Sequence, residues 1–523
     1  MTAPLRTVLI GYGPVGARFV EELLPAVTAG RVSLTVLGAE AEDAYNRVLL
    51  AEYAVGAASR TRLEIADTAA ARAAGVRIRL DETAVAVDRA GRVVRTSDGE
   101  EIGWDRLVLA TGARANVPTL GGLEHTRHER GATPVRGRDG GRRALPAGVL
   151  ALRDVADAEA VAPVVAGGGA ILVLGAGVLG MEFALLAAEH GARVTVVHHG
   201  AAPMARNLDE TGGRMLARAA RAAGLRMAAH ARAETVELRD APGGPVFDGI
   251  VCADGTYLRG DLLVLSCGVA PRVELALAAG LACATGVLVD PDLRSWTDPD
   301  VFAIGDCAQV ADPAEADATG RVPGAPSGLI GPGWRQAAAV ASRLHAESAG
   351  FAVGAKATVA RHERPTALML KATGIDVVSG GAYAAEPWDA DAEVSVWVDA
   401  ARGAYLKTVV RDGVLAGFVS VGLPRAGAEL TLRYERGMGL VADPAALLRL
   451  DAADAGTAVA ADDPLGPDAT VCWCNGVTAG RIADAVADGC GTVDEVGRCT
   501  RAGTGCGGCK GRIAALLAVV PAG

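Results

Sequence analysis

Short apolar runs closed by glycine punctuate the N-terminal part of the chain. Thr7-Val8-Leu9-Ile10 leads into Gly11-Tyr12-Gly13-Pro14-Val15-Gly16, then an amphipathic stretch, then the apolar run Val32 to Leu37. The pattern recurs: Ile171-Leu172-Val173-Leu174 leads into Gly175-Ala176-Gly177-Val178-Leu179-Gly180, a helical stretch from Met181 to His190 and the run Val194 to Val197. Each copy predicts a β–turn–α–β unit with its glycines where strand meets helix. Leu107-Val108-Leu109-Ala110-Thr111-Gly112 and Val301-Phe302-Ala303-Ile304-Gly305-Asp306 predict two further buried strands, the second ending in an acid. Ala160 to Met181 carries no charge and is long enough to span a bilayer. Pro163 and Gly167, Gly168, Gly169, Gly175, Gly177 and Gly180 break it into loop, buried strand and glycine turn, so no membrane span is expected.

The remaining patterns divide the chain further. Gly121 to Gly148 is rich in Gly, Arg and His and reads as a solvated insertion loop, with docking of an acidic partner as the alternative for its arginines. The stretch from about Ala355 to Leu450 is strand-rich. Asp451 to Asp468, dominated by Ala, Asp, Gly and Pro, reads as a flexible linker. Ala469 to Gly523 mixes cysteines with helical patterns at Ile482 to Val486 and Ile513 to Val519.

A chain of 523 residues calls for several domains, and one half hydrophobic can bury sizeable cores. Few aromatics among abundant Ala and Gly suit packed α/β layers. A net charge of −10 argues against general nucleic-acid binding. Met1 to Arg6 shows no basic segment followed by an apolar one, so a soluble, cytoplasmic protein is expected. Of ten cysteines, six fall between Cys472 and Cys509, and such a cluster without an export signal points to metal or redox chemistry.

The glycine turns have a definite physical use. One glycine makes the tight turn, a second lets backbone approach a pyrophosphate, a third packs helix on strand, and the helix N-terminus offers partial positive charge. Gly11, Tyr12, Gly13, Pro14, Val15 and Gly16 form the first candidate site, and Glu40 after its second strand is placed to accept from adenosine ribose hydroxyls. Gly175, Gly177, Val178, Leu179 and Gly180 form the second. There His198 and His199 stand where an acid would favour NADH or an arginine NADPH; they either contact ribose or cap the strand, so cofactor preference stays open.

The order glycine turn, Ala-Thr-Gly, second glycine turn, Ile-Gly-Asp resembles the pyridine-nucleotide–disulfide oxidoreductase superfamily, of glutathione-reductase fold. That resemblance implies a nicotinamide domain inserted within an FAD domain. It implies FAD contacts at Thr111, Gly112, Gly305 and Asp306, a dinucleotide contact at Gly268, and Glu182 near the nicotinamide as the candidate catalytic residue. No cysteine precedes Cys252, so the superfamily's active-site Cys-x4-Cys is missing and a disulfide reductase is disfavoured. Ala44 to Leu50, together with Gly328 to Ala337, is similar to the flavin region of assimilatory nitrate and nitrite reductases, which places Arg47 near FAD and the Gly331-to-Gln336 helix start at the isoalloxazine. The Ala355–Leu450 region matches that group's interface-type domain, with Gly403 to Lys407 and Gly413 to Gly417 as a hairpin.

Cys472-Trp473-Cys474 and Cys506-Gly507-Gly508-Cys509 supply paired thiolates from two loops. By spacing alone these hold an iron–sulfur cluster or zinc. Val471 to Thr478 and Cys499 to Lys510 closely resemble the bacterioferritin-associated-ferredoxin-like [2Fe–2S] domain, which implies Cys472, Cys474, Cys506 and Cys509 as cluster ligands and leaves Cys490 and Cys499 as packing or spare thiols. Arg498, Arg501, Lys510 and Arg512 lie nearby in sequence to offset the cluster's charge.

The expected architecture is α/β. Residues 1–120 and 285–350 form the FAD-binding domain, 121–148 an insertion loop and 149–284 the NAD(P)-binding domain. Residues 351–450 form an α+β interface domain, 451–468 a linker and 469–523 the small helical [2Fe–2S] domain. With FAD, NADH or NADPH and one cluster, the chain is expected to convert a two-electron donor into one-electron steps. No cysteine follows Cys509, which predicts delivery to a separate protein acceptor, a nitrate or nitrite reductase catalytic subunit. An NAD(P)H:ferredoxin or rubredoxin reductase and a redox-sensing interaction protein are the alternatives.

Overall fold

The computed structural model describes the chain apart from residues 1–2, 124–133, 137–141, 316–321, 352–365, 371, 441–444, 452–466, 468–469, 473–474, 505–508 and 520–523. Its first sheet is parallel, in the order Val301–Ala303, Arg106–Leu109, Leu5–Ile10, Val32–Leu37, Arg77–Arg79. Val8 stands between Thr35 and Leu107 in register. The second sheet repeats the plan with Val149–Leu150, Leu262–Leu265, Ala170–Leu174, Arg193–Val197 and Arg226–Ala228, also parallel. Strands buried on both faces need unbroken apolar runs, and Ile171, Val173, Val196 and Leu263 are fully buried. The edge strand Val301–Ala303 of the first sheet follows the whole second sheet in sequence, so the second unit is inserted into the first.

Within each unit the helix after the glycine turn, Pro14–Thr28 or Val178–Glu189, joins adjacent parallel strands. In the uncharged stretch the expected strand is Ala170–Leu174 and the glycine turn leads into the helix Val178–Glu189, but residues 160–166, expected as loop, belong to the helix Val155–Ala166, which holds Pro163 within it. Among the described residues no helix is long and apolar enough to cross a membrane.

The third sheet is antiparallel, in the order Leu368–Leu370, Val377–Gly381, Val414–Val421, Ala404–Arg411, Glu393–Asp399. The expected hairpin is the pair Ala404–Arg411 and Val414–Val421. One face packs the helix Pro424–Arg436 through Phe418, Leu430 and Tyr434. The opposite face joins the core of the second unit through Tyr405, Val419 and Val421. There the buried Lys407 ammonium lies 3.3 Å from Asp209, which also caps Gly212 N at 3.1 Å, so a paired charge ties the two units.

In the Gly121–Gly148 stretch a short antiparallel pair, Pro134–Arg136 with Arg142–Ala144, stands where a loop was expected; Arg127, Arg130 and Arg138 lie outside the described residues. The linker falls outside them too, except for Asp451 and Pro467. The cysteine-rich segment forms the helices Ala479–Ala487, Val493–Thr500 and Lys510–Val519 around Val471, Val477, Ile482, Val496 and Ile513. Cys490 and Cys499, expected as spare thiols, are instead joined in a disulfide that links the turn before the middle helix to its last turn.

One buried acid makes stability depend on pH. Asp157, in the first turn of the helix Val155–Ala166, accepts from Arg153 N at 2.7 Å, while its other oxygen is buried without a partner among the described residues. Burial, reinforced by Asp154, pushes its pKa from 3.8 up to about 6. An acid raised on folding contributes stability that is fully present below its unfolded value and lost as pH rises through the folded one. Asp157→Asn is therefore expected to gain roughly 1–3 kcal/mol over the parent at about pH 8 and almost nothing at about pH 3, read by chemical denaturation at both.

Candidate functional site

A single cavity of ≈ 1960 Å³ runs between the two parallel-sheet units, the antiparallel unit and the cysteine-rich module. Gly11, Tyr12, Gly13, Pro14, Val15, Gly16, Glu40, Arg47, Thr111, Gly112, Gly305 and Asp306 all line it. So do Val178, Leu179 and Glu182 from the second unit, and Cys509, Arg512 and Leu516 from the module.

The glycines divide their roles as dinucleotide geometry demands. Gly11 has φ +111°, and a Cβ there would sit 2.1 Å from Ala110 O. At Gly16 it would sit 2.2 Å from Gly11 O. At Gly13 its nearest neighbour would be Arg47 Nε at 3.9 Å, so this glycine alone faces open space. The second turn repeats the arrangement: φ +112° and a 2.2 Å clash with Ser266 O at Gly175, 2.4 Å to Gly175 O at Gly180, and nothing within 4 Å at Gly177. Both turns therefore fit a pyrophosphate passing close to backbone.

The helices Pro14–Thr28, Val178–Glu189 and Ile330–Ser348 start without a side-chain cap, as do Leu50–Ala54, Glu274–Ala278, Pro424–Arg436 and Ala446–Arg449. Other helix starts are capped by Asn46, Ser59, Asp67, Asp154, Asp209, Thr478 and Thr492. The starts of Pro14–Thr28, Val178–Glu189 and Ile330–Ser348 border the cavity through Pro14, Val178 and Ile330, leaving backbone N–H groups for anionic ligand atoms. The third is locked onto the first turn: Trp334 Nε1 donates to Pro14 O at 3.0 Å, and Gln336 Oε1 accepts from Gly305 N at 2.8 Å. A Cβ at Gly333 would meet Val15 Cγ2 at 2.7 Å, which explains the glycine in that helix.

Charge in the cavity is paired. Glu40 accepts from Arg47 and, at 2.8 Å, from Tyr45 Oη. Burial would raise its pKa, but the Arg47 guanidinium and both hydrogen bonds outweigh burial and hold it below the usual range. Burial pushes Asp306 up, against the pull of Arg153 and Arg47. Thr111 Oγ1 donates to Arg272 O at 2.9 Å, closing the Ala-Thr-Gly turn over the strand that follows the second unit.

Arg153 and Arg272 are cavity residues that the sequence reading missed. Arg153 donates to Ala113 O at 3.2 Å, its carbonyl accepts from Arg47 Nη1 at 2.8 Å, and Leu152 before it is held at φ +45°. A leucine in the left-handed region is backbone strain of the kind found at ligand sites, and no local sequence signal announces it.

Five expected residues lie outside the cavity lining: Gly175, Gly177, Gly180, His198 and Gly268. Gly268 has φ +84° and its carbonyl accepts from Asn116 N at 2.9 Å. His198 is buried at the end of Arg193–Val197, its pKa lowered by burial and by His199 and His230. It thus lies at the end of the strand and outside the cavity lining, as the glycines of the second turn do. Of the expected cluster ligands, Cys472 and Cys509 are both buried, while Cys474 and Cys506 lie outside the described residues.

Comparison with known proteins agrees with this geometry. Residues 5–326 match the pyridine nucleotide-disulphide oxidoreductase family, and residues 470–519 match the BFD-like [2Fe-2S] binding domain. The chain is 28% identical to the assimilatory nitrate reductase electron transfer subunit of Bacillus subtilis over 98% of its own length and 59% of that protein's. It is 31% identical to the nitrite reductase [NAD(P)H] large subunit of Klebsiella oxytoca over 99% of its own length and 49% of that protein's. The chain thus spans about half the length of these curated relatives. Among solved structures, the covalent putidaredoxin reductase–putidaredoxin complex aligns with a TM-score of 0.67 at 21% identity, covering 85% of this chain and 96% of that one, a likeness of fold. The ferredoxin reductase of the CYP199A2 system from Rhodopseudomonas palustris aligns with a TM-score of 0.63 at 25% identity, covering 85% and 100%.

Proposed function

The chain belongs to the pyridine nucleotide-disulphide oxidoreductase family and carries a BFD-like [2Fe–2S] domain, and from that premise we propose that it is the electron-transfer component of a nitrate- or nitrite-reducing system. It is an FAD-dependent NAD(P)H oxidoreductase, and its acceptor is a catalytic protein that reduces nitrate or nitrite. FAD accepts a hydride and releases electrons singly, and a [2Fe–2S] cluster carries them one at a time.

The single observation that carries this reading is the continuity of the cavity from the first glycine turn, past Leu179 and Glu182, to Cys509. In it the open face of Gly13 and the uncapped start of Pro14–Thr28 take the FAD pyrophosphate, and Glu40, steadied by Arg47 and Tyr45, accepts from the ribose. Asp306, Thr111, Gly112 and Gly305 border the rest of FAD, and Arg153 adds positive charge. The uncapped start of Ile330–Ser348 favours negative charge on the reduced flavin. Val178 and Leu179 bound the nicotinamide entrance, with Glu182 orienting the ring. Gly175, Gly177 and Gly180 hold the nicotinamide nucleotide's phosphates outside the cavity. Cys472, Cys474, Cys506 and Cys509 ligate the cluster. The two parallel sheets, the antiparallel sheet and the cysteine-rich module support the expected division into FAD, NAD(P), interface and cluster domains.

Acceptor specificity is the test. Purified holoprotein with NADH or NADPH should sustain nitrate or nitrite reduction when mixed with a cognate catalytic protein. Turnover with ferredoxin or rubredoxin alone, and none with nitrate- or nitrite-reducing proteins, would replace this reading by a general ferredoxin or rubredoxin reductase. Cluster-dependent association without turnover would replace it by a redox sensor.

A further inference from the structure

The turn of the cysteine-rich module that leads to Cys509 rests against the flavin-binding unit. Arg501 ends the helix Val493–Thr500 in the left-handed conformation, φ +67°. Its guanidinium reaches the first helix, where it pairs with Glu21 and, at 3.5 Å, with Glu22. Glu22 is also held by Arg18 at 2.9 Å, so the acidic pair is oriented from its own helix. Farther along the same turn, the Thr504 carbonyl accepts from Asn46 Nδ2 at 3.1 Å. Asn46 is buried, and its Oδ1 accepts from Val48 N at 3.0 Å, which shapes the turn that presents Arg47 to Glu40.

Inside the module the contact is carried toward the ligands. Asn475 Nδ2 donates to the Arg501 carbonyl at 2.7 Å and lies 3.8 Å from Cys472 Sγ. Thr504 Oγ1 donates to the same carbonyl at 2.8 Å. One residue thus shapes the flavin loop and holds the cluster-bearing turn, while a charge cluster beside it fixes the module against the helix whose N-terminus faces the flavin cavity.

We propose that Asn46 and the Glu21–Glu22–Arg501 cluster are positioning residues for electron transfer from flavin to cluster, a role that rests on the relay proposed above. NAD(P)H is the reductant and the protein acceptor the oxidant. The two electrons delivered as hydride cross this contact singly, each reducing the cluster by one electron before it is passed on, and the protons of the reduced flavin go to solvent. Tunnelling falls steeply with distance, so the rate follows the fraction of time the module is seated. Exposed charge pairs are individually weak, yet a tethered module sees a high effective concentration of its docking site. Modest contacts therefore suffice to seat it, and reversing two of the charges is expected to unseat it.

The experiment uses the full chain loaded with FAD and cluster, mixed anaerobically with NADH or NADPH. Flavin bleaching and cluster reduction are followed separately, by absorbance and freeze-quench paramagnetic resonance. In the double variant Glu21→Lys, Glu22→Lys, cluster reduction should slow on the order of ten-fold while flavin reduction keeps its parental rate. The parental cluster phase should slow with added salt, and the variant's should not. Adding Arg501→Glu should restore the rate by re-pairing opposite charges, a rescue that a merely structural role would not give. Equal cluster-reduction rates in parent and double variant at low salt, or a parental rate insensitive to salt, would overturn the positioning role while leaving the relay standing. Flavin bleaching in the parent without any cluster reduction would overturn the relay and this role with it.

Discussion

The Cys509→Ser protein is expected to retain FAD and to bleach with NADH or NADPH, yet to pass no electrons to a protein acceptor. Cys509 is buried and lines the same cavity as the first glycine turn, where the proposed function brings the two centres together. A serine hydroxyl is a hard, protonated oxygen at neutral pH and replaces a thiolate poorly on iron–sulfur iron. Loss of even supporting groups around a metal costs 10–100-fold, so loss of a ligand should lower acceptor reduction by about a hundred-fold or more. The check is paired: the reduced-cluster paramagnetic signal disappears, and flavin bleaching persists. A variant with full cluster signal and full acceptor turnover would remove Cys509 from the ligand set.

The second large effect lies at Gly13. Its Cβ position faces open space, with Arg47 Nε the nearest atom at 3.9 Å, so the fold should accept a side chain there. Gly13→Asp places a carboxylate at the N-cap of Pro14–Thr28, where it caps the helix and gains roughly a few tenths of a kcal/mol for the flavin-free protein. The same carboxylate meets the FAD pyrophosphate as a like charge, which costs several kcal/mol of binding. The purified variant should be folded and colourless in the flavin bands, with a circular dichroism spectrum like that of the parent and no NAD(P)H oxidation. Retained flavin absorbance would place the pyrophosphate elsewhere. Gly11 is the contrast, because at φ +111° with Ala110 O 2.1 Å from a Cβ it fails through the fold rather than the ligand.

Much of this was legible from sequence, because the two glycine turns announce themselves locally. The runs Thr7–Ile10 and Ile171–Leu174 are apolar on both faces, as parallel strands require, and the structure keeps each beside its own glycine turn. Insertion of one unit in the other was readable from the order of motifs, with Ile304-Gly305-Asp306 beyond the second turn. Features set by tertiary contact were not legible. The strained Leu152 and its neighbour Arg153 lie between a two-residue strand and a helix cap, where nothing periodic marks them. His198 follows its strand directly, and the chain folds back over it through Ala231 N and buries it, a closure that its place in the sequence does not announce. The Cys490–Cys499 disulfide depends on how two ends of a short helical segment meet, which spacing alone does not fix.

The central claim is that electrons from a nicotinamide reach the C-terminal cluster through FAD within one chain. Anaerobic titration of the purified protein with NADH and with NADPH, read by absorbance and paramagnetic resonance, tests it most directly. The account predicts bleaching of the flavin bands together with the signal of a reduced [2Fe–2S] cluster. Complete flavin bleaching with no reduced-cluster signal would contradict it.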